Sequence, residues 1–178
     1  MLNPTLGIAV LTNDRLKILD INLKEHYQQC KKHGVKLYVF DNSKVVDNGP
    51  LLAGYPEVEW IKHKKDLTYD EAFRSAAEYL KEDYVWVIGE KVTILPGAIP
   101  MIMDFLTEKK FSAVVVNCNA RISLCGMPTI ESEVIDVMAI YGWHTTLCGS
   151  VIFHKDTIAR AEKNKYMGSG FIHTAVFL

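Results

Sequence analysis

Leu6-Gly7-Ile8-Ala9-Val10-Leu11-Thr12-Asn13-Asp14-Arg15 is the stretch on which the reading of the whole chain turns. From Leu6 to Leu11 no polar residue interrupts the run, so the segment does not alternate as a half-solvated strand would. Unbroken apolar strands of this length belong to sheets covered on both faces, which are mostly parallel. Thr12-Asn13-Asp14 then supplies helix-capping chemistry. Leu16, Leu19, Leu23, Tyr27 and Cys30 follow at three- and four-residue steps, one face of a helix that Gly34 is placed to end.

The same alternation of buried strand and amphipathic helix continues outward. Val35 to Phe40 reads as a second buried strand, followed by Asp41-Asn42-Ser43 and a polar loop with Asn48-Gly49-Pro50 as its turn. Val58 to His63 reads as a third strand. Thr68-Tyr69-Asp70-Glu71 is a capping box ahead of a helix whose buried stripe is Phe73, Ala76, Ala77 and Leu80. Tyr84 to Ile88 is a fourth strand, and Leu95-Pro96-Gly97 opens a helix with Ile99, Met103 and Leu106 inward. Phe111 to Val116 is a fifth strand, 117–130 irregular, Glu131 to Tyr141 helical, Leu147 to Phe153 a sixth strand, and Asp156 to Asn164 a short helix. Trp60 and Trp86 are read as core. The pattern predicts an α/β/α sandwich around a mostly parallel sheet, in one domain over 1–178.

Composition narrows the function. Of 178 residues 49% are apolar, and 20 Lys and Arg face 21 Asp and Glu for a net charge of −1. That balance offers no basic footprint for nucleic acid. No apolar run reaches the roughly 18 residues of a membrane span, and no basic-then-apolar signal pattern opens the chain. Cys30, Cys118, Cys125 and Cys148 lack both CxxC and zinc-ligand spacing and read as reduced thiols of a cytoplasmic protein. The apolar ending, Gly170 to Leu178, is expected to belong to an element that continues, making the chain a domain fragment.

In parallel sheets ligands bind beyond the carboxyl ends of the strands. Those ends carry Thr12-Asn13-Asp14-Arg15, Asp41-Asn42-Ser43, Lys64 to Tyr69, and Gly89-Glu90-Lys91-Val92. Asp41, Thr12 and Asn13 can bond a base or ribose; Arg15, Lys64, Lys65, Arg74 and Lys91 offer charge to a diphosphate. Neither a glycine-rich dinucleotide turn nor a P-loop is present. Each residue has a plainer role beside this one. Asp41 can cap a turn, Thr12 and Asn13 a helix, Asp66 and Lys91 can be solvated, Tyr69 and Arg74 can pack on the surface, and His173 can be a satisfied structural histidine.

In their order, four blocks resemble family 2 glycosyltransferases: Ile8 to Arg15, Leu37 to Ser43, Asp66 to Phe73, and Tyr84 to Val92 with Leu95-Pro96-Gly97-Ala98-Ile99. Gly149-Ser150-Val151-Ile152-Phe153 resembles a later strand of that family. The resemblance implies a GT-A fold, a nucleotide-sugar donor, usually uridine-based, and a saccharide or lipid-linked acceptor in polysaccharide or capsule assembly, with inversion. It implies that Thr12 and Asp41 hold the nucleoside, with Asn13 beside them, and that Asp66, Tyr69 and Arg74 lie near the base or diphosphate. It also implies peripheral membrane association of the full-length protein, and acceptor-side elements beyond this chain.

The chain departs from the family at its Asp-x-Asp motif, which would carry a divalent metal, Mn or Mg. Here Glu90 keeps one carboxylate, Lys91 puts a cation where a second would sit, and Val92 cannot ligate. Either Glu90 serves as metal ligand, or Lys91 substitutes as a charge on the phosphate, or catalysis is lost. For the base, the matching region offers His173. The alternatives to a transferase are a degenerate nucleotide-binding or scaffolding domain of a larger glycosyltransferase, and an unrelated flavodoxin-like or methyltransferase-like α/β domain.

Overall fold

A computed structural model describes residues 3–122 and 133–176. The elements run β1 (Leu6–Thr12), α1 (Leu16–His33), β2 (Lys36–Asp41), α2 (Gly49–Leu52), β3 (Glu59–Lys62), α3 (Tyr69–Tyr79), β4 (Tyr84–Gly89), α4 (Ala98–Glu108), β5 (Ala113–Val115), α5 (Val134–Thr145), β6 (Val151–His154), α6 (Lys155–Arg160) and α7 (Ile172–Ala175). The sheet order is β3-β2-β1-β4-β6-β5. β1 to β4 are parallel, and β6 runs against both β4 and β5. The chain therefore reverses its direction of winding between β2 and β4, on either side of β1.

Strand pleating splits the interior into halves. Leu6, Ile8 and Val10 of β1 face the core built by Leu19, Leu23 and Cys30 of α1 and Ile99, Ile102 and Leu106 of α4. Ala9 and Leu11 face the other core, with Phe73, Ala76 and Ala77 of α3, Ile158 of α6 and Ile172 of α7. This is the expected three-layer α/β/α sandwich, and it explains why β1 is buried along its whole length.

Local signals hold where they depend on neighbours in sequence. Gly34 closes α1 at φ 67, its amide and that of Val35 returning to Lys31 and Cys30 carbonyls. The Thr68–Glu71 box is complete: Thr68 N donates to the Glu71 carboxylate at 2.8 Å and Glu71 N to Thr68 Oγ1 at 3.3 Å. Trp86 is core, its indole N–H donating to the Gly149 carbonyl at 2.7 Å.

Other expectations are corrected. Trp60 is not core: β3 is the edge strand and the indole is 39% exposed. No side chain caps α1, because Asp14 adopts φ 53 and turns its carboxylate elsewhere. The sixth strand starts at Val151, since residues from His144 to Ser150 continue α5 into turns closed by Leu147 N to His144 O and Ser150 N to Leu147 O. α5 extends to Thr145; residues 131 and 132 of its expected start, like 123–130, lie outside the described residues. α6 ends at Arg160, where Ala161 turns extended, and a separate 3-10 turn spans Lys163–Tyr166. The loop at Asn48-Gly49-Pro50 forms the short α2, with proline in its first turn.

Gly7 marks a close approach. A Cβ there would lie 2.6 Å from Glu82 Oε2 and 2.8 Å from Leu80 Cδ2. Glu82 cannot swing away freely, because Tyr38 Oη donates to its oxygens at 3.0 and 3.2 Å and Lys81 N at 3.1 Å. Gly7→Ala is therefore expected to destabilise the chain by about 1–3 kcal/mol. An unchanged urea midpoint would show that Glu82 yields without cost.

Candidate functional site

The carboxyl ends of β1, β2 and β4 meet at the winding reversal and are tied into one rim. Thr12 and Asp41 are register partners across β1 and β2. Asp41, fully buried, accepts from Ser43 N at 2.8 Å through one oxygen, and from Lys62 Nζ at 3.0 Å and Trp60 Nε1 at 3.3 Å through the other. Burial opposes its charge, but the hydrogen bonds from Ser43, Lys62 and Asn48 outweigh it and hold the carboxyl below its usual range. Lys62 also donates to the Ser43 carbonyl at 2.7 Å, so β3 clamps the turn after β2.

Asp14 fastens the turn after β1 to the same place. Its Oδ1 accepts the amides of Lys44, Val45 and Val46 at 3.0, 2.8 and 2.8 Å, while its own amide donates to Ser43 Oγ at 2.8 Å. Asn42 reaches the loop before α3, donating to Leu67 O at 2.8 Å and accepting Leu67 N at 3.1 Å. Asp66, exposed, meets only the edge of this bridge, with Asn42 Nδ2 at 3.4 Å. Asn13 is exposed at the rim.

The loop after β4 is held by a polar stripe on α1. Asn22 Nδ2 donates to Glu90 O at 2.9 Å, Thr93 Oγ1 to Asn22 Oδ1 at 2.7 Å, Ile94 N to His26 Nε2 at 3.3 Å, and Gln29 Nε2 to Ile94 O at 2.8 Å. The Glu90 side chain is only 8% exposed, and its Oε1 accepts Arg15 Nη1 at 2.8 Å; Arg15 is 51% exposed. Lys91 is exposed beside it. Sequence reasoning passed over Asn22 and His26, and gave Asp14 a helix-capping role in place of this one. The four-residue step from Asn22 to His26, on the buried face of α1, was the available signal.

Thr12 Oγ1 is one of six buried side-chain atoms without a hydrogen-bond partner among the described residues, the others being His26 Nδ1, Gln29 Oε1, Asn48 Oδ1, His63 Nε2 and His144 Nδ1. It lies in a residue 2% exposed. Buried hydroxyls are rarely left so, and an orphan of this kind at a strand end can take a ligand atom where the rim opens to admit one.

Tyr69, Arg74 and His173 form a different neighbourhood. Tyr69 Oη lies 3.0 Å from His173 Nδ1, and His173 Nε2 lies 3.0 Å from the Thr146 carbonyl. A carbonyl only accepts, so Nε2 carries the proton and Nδ1 accepts from the tyrosine. Burial pushes the Tyr69 phenol up, and pulls the His173 imidazole down against the Thr146 hydrogen bond. Asp70, 2% exposed, anchors the segment leading into α7 by accepting Gly170 N at 2.9 Å and Ile172 N at 3.3 Å. Arg74 turns to Glu78 at 3.1 Å and Asn164 at 2.6 Å, lining an open depression with Ala161, Glu162 and Lys165. The structure thus brings Thr12, Asn13, Asp41, Asp66, Glu90 and Lys91 to one rim, joins Tyr69 to His173, and directs Arg74 toward Asn164.

A divalent cation fits the described residues poorly. Such cations take about six oxygens, one or two from carboxylates that are free to ligate and the rest from water and phosphate. Glu90 is the sole carboxylate of its turn and already accepts a guanidinium, and among the described residues no group of three His, Cys, Asp or Glu could hold a metal.

No family model matches the sequence, and no curated protein matches it. Solved structures do share its fold. S. aureus TarS, residues 1–349, superposes with a TM-score of 0.70 over 97% of this chain and 55% of its own length at 10% identity. The same protein in complex with UDP-GlcNAc gives 0.67 over 87% and 46%, at 10% identity. The mannosyltransferase PcManGT from Pyrobaculum calidifontis, in complex with GDP-Man and Mn2+, gives 0.63 over 98% and 51%, at 13% identity. The chain spans about half the length of each of these three structures. The expected three-layer α/β/α fold with a mostly parallel sheet is therefore one that these structures share.

Proposed function

We propose that this chain is the nucleotide-sugar-binding domain of an inverting glycosyltransferase. It would take a uridine-diphosphate sugar and pass the sugar to a saccharide or lipid-linked acceptor in polysaccharide biosynthesis on the cytoplasmic side. The observation that carries the reading is the orphaned Thr12 hydroxyl, buried at the winding reversal and flanked by the Asp41 and Arg15–Glu90 ion pairs. A nucleoside offers the partner that hydroxyl lacks. Asn13 and Asp66 stand exposed where a base or ribose would pass, and Lys91 and Arg15 give charge for the diphosphate. The neighbours in complex with UDP-GlcNAc and with GDP-Man lend the fold precedent for such ligands.

In the transfer, the acceptor oxygen bonds to the anomeric carbon as the bond from that carbon to the diphosphate breaks. The acceptor's proton must leave to a base. In this proposal His173 receives it through the Tyr69 hydroxyl, which occupies the Nδ1 lone pair. Arg74, turned to Glu78 and Asn164, stays outside the donor site in this proposal. On the same reading, acceptor-side elements and any peripheral membrane contact would come from outside the described residues. The membrane contact would not be a helical span from the described residues, in which no helix is long and apolar enough to cross a bilayer.

Titration calorimetry with UDP, and with GDP as comparison, tests the proposal. Saturable binding of UDP, weakened by Thr12→Val in a folded variant, is expected. A chain that binds neither nucleotide is not a donor-binding domain. A chain that binds UDP but hydrolyses or transfers nothing from UDP-sugars would be the degenerate module instead, a reading that the Glu90-Lys91-Val92 turn favours.

A further inference from the structure

We infer that Arg15, held in place by Glu90, supplies the positive charge that a divalent ion would otherwise bring to the donor diphosphate. The inference rests on the donor-binding reading above and goes beyond it, because it assigns the Asp-x-Asp position a new task. Glu90 is a positioning residue and Arg15 the group that touches the phosphate.

Glu90 is almost fully buried, and its carbonyl and amide are fixed by Asn22 and by the Leu11 carbonyl. Its carboxylate is thus a rigid anchor. Arg15 spends one N–H on that anchor at 2.8 Å, and its side chain makes no other hydrogen bond shown for the described residues, while half of that side chain remains exposed. A guanidinium carries five N–H donors in a planar fork that suits phosphate oxygens, and it stays charged at all relevant pH. Anchoring one edge lowers the entropy lost when the others close on a ligand. Arg15 also opens the eighteen-residue α1, whose first turn has no side-chain cap, so the helix adds its positive end to the same place. The unpartnered Thr12 hydroxyl sits on the adjoining strand end, which independently marks the spot for a ligand. Lys91, exposed on the next residue after Glu90, adds a second cation. A metal and Arg15 compete for the same carboxylate, so the arrangement that orders Arg15 excludes Glu90 as a free ligand.

The test is calorimetry on the chain with UDP and with uridine, in EDTA and in manganese, at low and moderate salt. Wild type is expected to bind UDP equally well in EDTA and in manganese. Arg15→Gln should weaken UDP by about ten- to a hundredfold while leaving uridine unchanged, the range of a lost charge-assisted contact. Arg15→Lys should restore part of the loss, and Glu90→Gln should weaken UDP selectively by freeing Arg15. Thermal melts identify any variant that fails to fold; Arg15→Lys and wild-type metal dependence then still decide. UDP binding that requires manganese, or an Arg15→Gln variant that binds UDP as wild type does, overturns the inference and leaves donor binding standing. Absence of any UDP or uridine binding by wild type overturns both.

Discussion

Asp41→Ala is expected to lower the unfolding free energy by about 2–4 kcal/mol, a large part of the roughly 5–15 kcal/mol that holds a domain of this size. The carboxylate ties the turn after β2 to edge strand β3. It accepts the Ser43 amide of the turn after β2, the Trp60 indole of edge strand β3, and the Lys62 ammonium. Removing it leaves a buried amide without an acceptor, which costs about 1–3 kcal/mol by itself. Lys62 is 39% exposed and can return to water, so its share is smaller than a fully buried pair would give. Asp41→Asn keeps an acceptor for Ser43 and should lose about half as much. Urea midpoints of both variants measure this, and equal midpoints for wild type and Asp41→Ala would show that the turn is held by Asp14 alone. The consequence for function is specific. Any loss of nucleotide binding in Asp41→Ala contains a structural part, so Thr12 and Arg15, whose side chains carry less of the fold, report on the ligand more cleanly.

The residues that were legible in the sequence are those whose partners are near in the chain or whose environment is uniform. The Leu6–Leu11 run announced a strand buried on both faces, Gly34 the end of α1, and Thr68–Glu71 the start of α3, because each signal is complete within a few residues. The rim itself was also legible, since parallel strands place their following turns on one edge. What the sequence could not display is which polar groups consume one another. Arg15 and Glu90 are 75 residues apart, Asn22 and Glu90 68, and Tyr69 and His173 104. Those pairings decide whether a carboxylate is a ligand or an anchor, and no local pattern encodes them. Trp60 illustrates the same limit from the apolar side. Its alternation with Val58 resembles a buried strand, yet β3 is the last strand of the sheet and leaves the indole half in water, free to serve Asp41.

Acid should unfold the chain, and the loop after β4 should respond first. His26 is fully buried on α1 with Nε2 accepting the Ile94 amide, and burial pulls its imidazole down to about 4. An unfolded His26 takes a proton near pH 6.5. Between those values the unfolded chain therefore binds more protons than the folded one, and stability falls as pH falls. His26 alone is expected to remove about 3 kcal/mol by pH 4, with no further loss from it below that point. His173, His63 and His154 are shifted in the same direction, chiefly by burial, and steepen the same window. The carboxylates act lower down. Asp41 is held below its usual range and Asp83 is held at about 2 by Lys155 and Thr5, so their contributions are present above the unfolded value of 3.8 and lost only below it. Urea midpoints measured from pH 7.5 to pH 4 should fall throughout the histidine window, and His26→Gln should flatten the slope. A midpoint constant over that range would mean that His26 opens to solvent at little cost. Protonation also removes the acceptor for Ile94 N, and the 90–94 segment carries Glu90 at its start. UDP affinity should therefore decline in the same window and in proportion to the loosening of that loop, linking the buried stripe of α1 to the charge presented at the rim.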